Sequence, residues 1–223
     1  PDTVVYASNE ADPTLAPPDT EYLQQLENGI VEAGISAKNK SIQAIIGYTT
    51  ADASCVGTNR RDPAGPAHPE MPVLVVRNAV SNAPIAIMWV CSMHPTVLHE
   101  DSTLYSGDFP GYAREYVQHH SLGEGCVVLH HSGASGNQSP RHVVKSTTFA
   151  EAKRLGSELG QSVEEAIKDL EYTHQISLNA AQSAATLPLR TFITESEAAE
   201  ALTLAQARYQ ELKDEQAPTP AIR

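Results

Sequence analysis

The sequence predicts an α/β fold, a mixed β-sheet flanked by helices, and three observations carry that expectation. Residues 85–90 and 126–129 are short apolar runs, each ending in a polar loop, as in buried strands. Residues 147–173 place apolar side chains three or four apart, the pattern of an amphipathic helix. With 223 residues, the chain is long enough to bury about 70–75% of its unfolded surface without a disulfide or metal staple.

The elements follow in order. Residues 1–18 hold four prolines and read as a surface loop. A helix starts at Asp19-Thr20, whose side chains can cap it, and it carries Leu23, Leu26, Ile30 and Val31 at helical spacing up to a stop at Gly34. Residues 41–49 read as a strand. Residues 50–72, broken by Gly57, Pro63, Gly65, Pro66 and Pro69, form a long loop of the kind that is functional when it lies inside a compact domain. A hairpin joins 73–77 to 84–91 through 78–82, and 94–104 is loop. Residues 108–119 form a helix with Phe109, Tyr112, Tyr116 and Val117 on one side. A strand over 125–130 leads into a glycine-rich loop. The helix over 147–173 turns Phe149, Ala152, Leu155, Leu159, Val163, Ile167 and Leu170 to one face. Two short strands flank Pro188 within 176–193. A last helix covers 195–213, and 214–223 is a Pro-rich tail.

Composition narrows the partners. A net charge of −12 argues against a nucleic-acid partner, which needs a basic face. No apolar run approaches the ~20 residues of a membrane span. The three cysteines form no CxxC pair; Cys91 and Cys126 read as buried free thiols in strands, and Cys55 as a loop residue. The chain begins at Pro1 and ends at Arg223 after a Pro-rich stretch, which reads as a piece of a longer polypeptide.

Chemistry concentrates where strands end, since α/β folds present reactive side chains there. Cys91-Ser92-Met93-His94-Pro95-Thr96 follows one apolar run, and His130-His131-Ser132-Gly133-Ala134-Ser135-Gly136-Asn137-Gln138-Ser139-Pro140 follows the other. His94, on a turn stiffened by Pro95, can offer a neutral imidazole to Zn²⁺, although a lone histidine also serves structure. His99 is read as solvated surface, or with Glu100 and Asp101 as support for a metal ligand. In Asn59-Arg60-Arg61-Asp62-Pro63 an arginine fork is available to clamp an anion or oxyanion; a solvated arginine also accounts for the stretch taken alone. Ser106 or Asp108 caps the helix at 108. Gly136-Asn137-Gln138-Ser139-Pro140 is not a G-x-S-x-G elbow, because proline follows the serine. Its small residues let a substrate approach Ser139, and Asn137 and Gln138 can donate to an oxyanion.

The order of these pieces is more specific than any one of them. Asn-Arg, then a strand and His-Pro-Thr, then Ser-Gly-Asp-x-x-Gly-Tyr-Ala, then Gly-x-x-Ser-Pro resembles the neutral/alkaline, non-lysosomal ceramidase family over about 41–145. The resemblance implies the central part of a larger catalytic domain that hydrolyses an N-acyl amide of a ceramide-like substrate. It implies that His94 binds catalytic zinc, that Ser139 is an essential catalytic residue and that Arg60, with Arg61 as its rival, contacts the reacting group. His99, Asp108 and Asn137 are secondary candidates. The family has Asp-Val where this chain has Asn137-Gln138. Its His-Thr-His-Ser segment would precede Pro1, and its Glu and Tyr zinc ligands would follow Arg223. The resemblance therefore implies that the remaining segments of the same polypeptide are partners of this one, and it favours a secreted or periplasmic location. A non-catalytic fragment of the same fold and a metal-independent serine hydrolase are the alternatives.

Overall fold

The apolar run before Cys91 forms an interior strand of a four-stranded sheet. In the computed structural model, which describes residues 19–99, 102–188 and 191–215, the strands are β1 (Ala44–Asp52), β2 (Thr58–Asn59), β3 (Glu70–Asn78), β4 (Pro84–Cys91), β5 (Val127–Ser132) and β6 (Gln138–Ser139). The main sheet has the order β1-β3-β4-β5, and β2 pairs with β6 in a separate ladder. β1 with β3 and β3 with β4 are antiparallel, whereas β4 and β5 are parallel. The sheet is therefore mixed, as expected.

Side-chain alternation builds the core. Met71, Val73 and Val75 of β3, with Ile87, Trp89 and Cys91 of β4, point to one face and are fully buried. That face is covered by α2 (Asp108–Val117) and α3 (Phe149–Ile167), whose Phe109, Ala113 and Val117 and whose Ala152, Leu155, Leu159 and Val163 join the same core. The two helices lie close: a Cβ added to Gly156 would stand 2.5 Å from the Phe109 carbonyl oxygen, and one on Gly160 2.5 Å from the Tyr116 ring. Glu151 is buried at the start of α3, where Arg154 binds both its oxygens at 2.6 and 2.9 Å and the Lys145 N–H donates to it at 2.8 Å. These partners hold its carboxyl at about 2. The other sheet face stays apolar and partly open, with Tyr48, Val127 and Leu129 exposed.

Several boundaries differ from the sequence expectation. α1 (Thr20–Asn39) is capped by Asp19, which accepts the Tyr22 N–H at 3.0 Å, but it runs through Gly34 to a C-cap at Lys40. An interior glycine costs only about 1 kcal/mol, too little to stop a helix flanked by good formers. No residue of α1 is buried. The loop expected over 50–72 is shortened at both ends by β1 and β3, and it contains a 3₁₀ turn (Ser54–Val56) and β2. Cys55 is half-buried there, its thiol pushed up to about 11 chiefly by desolvation. β5 begins after Cys126 and reaches Ser132. α3 stops at Ile167, not 173, because the following chain turns back to the sheet edge: Thr173 exchanges two 2.9 Å backbone hydrogen bonds with Ile46.

The chain divides into two units, Pro1–Ile176 and Ser177–Arg223. In the second, the two strands expected within 176–193 are absent among the described residues; Leu178 and Leu187 are exposed and no ladder partner is present. Its helix α4 (Glu195–Asp214) opens with a capping box, Thr194 accepting the Glu197 N–H while Glu197 accepts the Thr194 N–H. The loop read at 1–18 and residues 216–223 of the tail read at 214–223 lie outside the described residues, as do Glu100 and Asp101. No described helix is long and apolar enough to cross a membrane.

Candidate functional site

β4 and β5 are parallel neighbours, so the loops that leave them emerge at the same end of the sheet. The first carries His94, the second Ser139. They are tied directly: the His94 N–H donates to the Gln138 carbonyl at 3.0 Å, and the Gly133 N–H donates to the Cys91 carbonyl at 2.8 Å. The third loop joins through the β2–β6 ladder, which pairs Thr58 with Ser139 and Asn59 with Gln138. Arg60 then donates its N–H to the Asn137 carbonyl at 2.8 Å. Three segments far apart in sequence thus meet within one turn of His94, Ser139 and Arg60.

Each candidate has a defined setting. His94 is half-buried, and its Nδ1 lies 3.0 Å from the Ser135 carbonyl oxygen. A carbonyl only accepts, so Nδ1 carries the proton and the Nε2 lone pair is left free, the arrangement that orients metal-binding histidines. Ser139 is 4% exposed, and its Oγ accepts the Arg141 N–H at 3.4 Å. Among the described residues no imidazole or carboxylate is hydrogen-bonded to that hydroxyl. Arg60 is half-buried, whereas Arg61 is exposed and its N–H is bound to Asn59. His99 is exposed, as the surface reading expects.

Two expectations are corrected. Of the two cap candidates, Ser106 Oγ accepts the N–H of Asp108, the first residue of α2, at 2.9 Å, whereas Asp108 does not cap the helix, whose N-cap is Gly107. The buried carboxylate instead accepts the N–H groups of Val97 and Leu98 at 3.0 and 2.9 Å through one oxygen, and that of Phe109 at 2.7 Å through the other. It clamps the loop that follows His94, from a backbone at φ 50°. Gln138 is not an oxyanion donor. It is 2% exposed, its Oε1 accepting the His68 N–H at 2.6 Å and its Nε2 donating to the Ala134 carbonyl at 3.0 Å. Asn137 is exposed, with Nδ2 2.7 Å from the Pro66 carbonyl.

Sequence reasoning missed the residues that assemble these loops. Asn59 accepts the N–H groups of Arg61 and Asp62 at 3.0 and 3.2 Å and donates to the Pro66 carbonyl at 2.9 Å. This Asx turn fixes the arginine loop. Gly57 lies so close to the serine strand that a Cβ there would stand 2.5 Å from the Ser139 carbonyl oxygen. An Asx-turn pattern was legible in Asn59-Arg-Arg-Asp-Pro; the role of Gly57 depends on a contact 82 positions along the chain.

The donor set does not complete a metal site. Zinc sites use three protein ligands and an open position, and the described residues contain no group of three or more His, Cys, Asp or Glu able to hold a metal. His94 has Nδ1 held by a backbone carbonyl, as do His68 and His120.

No family model and no curated protein matches the sequence. Among solved structures, the chain is similar to the neutral ceramidase from Pseudomonas aeruginosa, with a TM-score of 0.54 and 21% identity over 64% of this chain and 25% of that one. It is also similar to a ceramidase complexed with C2, at a TM-score of 0.49 and 18% identity over 56% of this chain and 22% of that one. Over the matched part the chain has the α/β fold of the Pseudomonas aeruginosa structure, and it spans about a quarter of that chain's length.

Proposed function

We propose that this chain is the central portion of a zinc-dependent hydrolase that cleaves an N-acyl amide, with ceramide-like lipids as the substrate class. The observation that supports the reading best is the pairing of the His94 N–H with the Gln138 carbonyl, which joins the His94 backbone to the strand that carries Ser139. In this reading His94 is one zinc ligand, held through Nδ1, and the other ligands come from outside the described residues. Bound zinc would supply Lewis acidity and a water acidified toward a pKa of about 7. Ser139 acts at the scissile carbonyl, as nucleophile or by holding the attacking water. Arg60 steadies the oxyanion or a substrate hydroxyl through its planar fork. Gln138, Asn59 and Asp108 position these groups without touching substrate.

A serine hydrolase independent of metal needs a base within hydrogen-bond reach of its hydroxyl. Among the described residues only the Arg141 N–H is bonded to Ser139 Oγ, and chelator treatment separates the two readings. Hydrolysis of an N-acyl amide by the full-length polypeptide, followed by product release, tests the proposal. Chelator treatment is expected to abolish turnover and added zinc to restore it. His94→Ala and Ser139→Ala are each expected to cut turnover by at least about a hundredfold, the scale of losing one transition-state contact. Chelator-resistant turnover, or near-native turnover by either variant, would refute it.

A further inference from the structure

The arginines of the described chain fall into two groups. Away from the candidate site each has a structural partner. Arg77 donates to the Asn82 carbonyl at 3.1 Å and Arg114 to the Val128 carbonyl at 2.9 Å, while Arg154 binds Glu151 and Glu158 and Arg208 binds Glu211. The other three, Arg60, Arg61 and Arg141, all lie on or beside the two loops joined by the β2–β6 ladder at Ser139. None of these three is in an ion pair among the described residues.

Arg141 is the best placed of them. Its N–H donates to Ser139 Oγ at 3.4 Å, and its Nη1 reaches the Arg60 carbonyl oxygen at 3.5 Å. The guanidinium therefore lies against the backbone of the arginine loop, close to the serine. The contact with Arg60 is long and engages one of five N–H donors, and Arg141 is exposed, so the rest of its fork is open to a solute.

Local charge agrees. Residues 57–69 and 133–142 hold the three arginines against one carboxylate, Asp62, whose Oδ1 accepts the Ala64 N–H at 3.0 Å. With histidines neutral these two loops carry +2, in a chain of net charge −12. Asp108, the buried carboxylate behind the His94 loop, is already satisfied by three backbone N–H groups. In the proposed reaction Arg60 suffices for the oxyanion of a neutral amide, which leaves Arg141 and Arg61 without a task. A carboxylate or phosphate on the substrate supplies one, because a guanidinium binds either through paired N–H donors. The acyl portion is the apolar end of such an amide, so the charge falls on the amine portion.

We propose, on the reading of this chain as an amide hydrolase, that the site takes an N-acyl amide whose amine portion carries a carboxylate or phosphate, received by Arg141. Three matched amides test it on the full-length polypeptide: neutral N-hexanoylethanolamine, its phosphate ester, and N-hexanoylglycine. The kcat/KM for at least one charged amide is expected to exceed that for the neutral one by at least about tenfold, and the better of the two identifies the anion. The preference is expected to shrink as ionic strength rises. Arg141→Gln is expected to cut the charged-to-neutral ratio by at least about fivefold, and Arg141→Lys, which keeps the charge and loses the fork, by less. If no amide is hydrolysed the hydrolase reading fails, and the ratios of dissociation constants for the same three amides decide this proposal in its place. Equal values for charged and neutral amides, or a preference that Arg141→Gln retains in full, would overturn it.

Discussion

His130 shows how one side chain reports on the packing that positions the site. It stands on β5 opposite Trp89, whose Nε1–H donates to His130 Nδ1 at 2.7 Å, and its ring meets Phe109 edge-on. Desolvation first, then the nearby charge of Arg114, lowers its pKa from 6.5 to about 4. The folded value lies below the unfolded one, so its contribution to stability is complete above pH 6.5 and is lost as pH falls toward 4. A shift of this size corresponds to at most about 3 kcal/mol. Thermal melts of the native chain should therefore fall between pH 6.5 and pH 4 more steeply than those of His130→Gln, which keeps an acceptor for Trp89 but does not titrate; equal slopes would contradict this. At Gly57 the prediction is steric. Gly57→Ala must push the Ser139 carbonyl away by several tenths of an ångström, so turnover should drop by at least about tenfold while the melting temperature shifts by only a few degrees. His94, Arg60 and Ser139 were singled out by their types and neighbours, and the loops that carry them meet in the structure. Gln138 and Asp108 were misread because an amide or carboxylate near a loop looks the same whether it faces substrate or backbone; only the burial of their polar ends distinguishes the cases.

At the scale of elements, α3 is the best-anchored helix, and the pair Gly156 and Gly160 explains how it lies against α2. Gly156→Leu should destabilise the chain by about 2–4 kcal/mol, more than a typical core overpacking, because the obstruction at 2.5 Å is backbone. Urea unfolding measures it, and a loss below about 1 kcal/mol would show that the helices can part at little cost. Glu151→Gln should also destabilise, since it leaves Arg154 with a half-filled partner in a buried setting. The apolar spacing of α3 was readable, and so was the alternation of β4. The end of α3 was not, because Ile167 to Leu170 continue the helical pattern and only the pairing of Thr173 with Ile46 overrides it. The strands expected around Pro188 are absent among the described residues for the converse reason: local β-propensity does not make a strand without a ladder partner.

For the whole molecule, the sheet order explains why the site lies where it does. A parallel β4–β5 pair sends both of its loops out at one end, and the β2–β6 ladder brings the arginine loop to the same place. An antiparallel pair would have sent those loops to opposite ends of the sheet. The parallel relation could be anticipated from an apolar run, an intervening helix and a second apolar run; the β2–β6 ladder, two residues long on each side, leaves no trace in composition. The central claim is that His94 and Ser139 act on one carbonyl. A double-mutant cycle on kcat/KM for N-acyl amide hydrolysis by the full-length polypeptide tests it most directly, because residues that act as a unit are strongly non-additive. The combined His94→Ala, Ser139→Ala variant should be no slower than the worse single variant by more than about threefold; a loss equal to the product of the two single losses would mean that the two residues work independently, and the shared site would not stand.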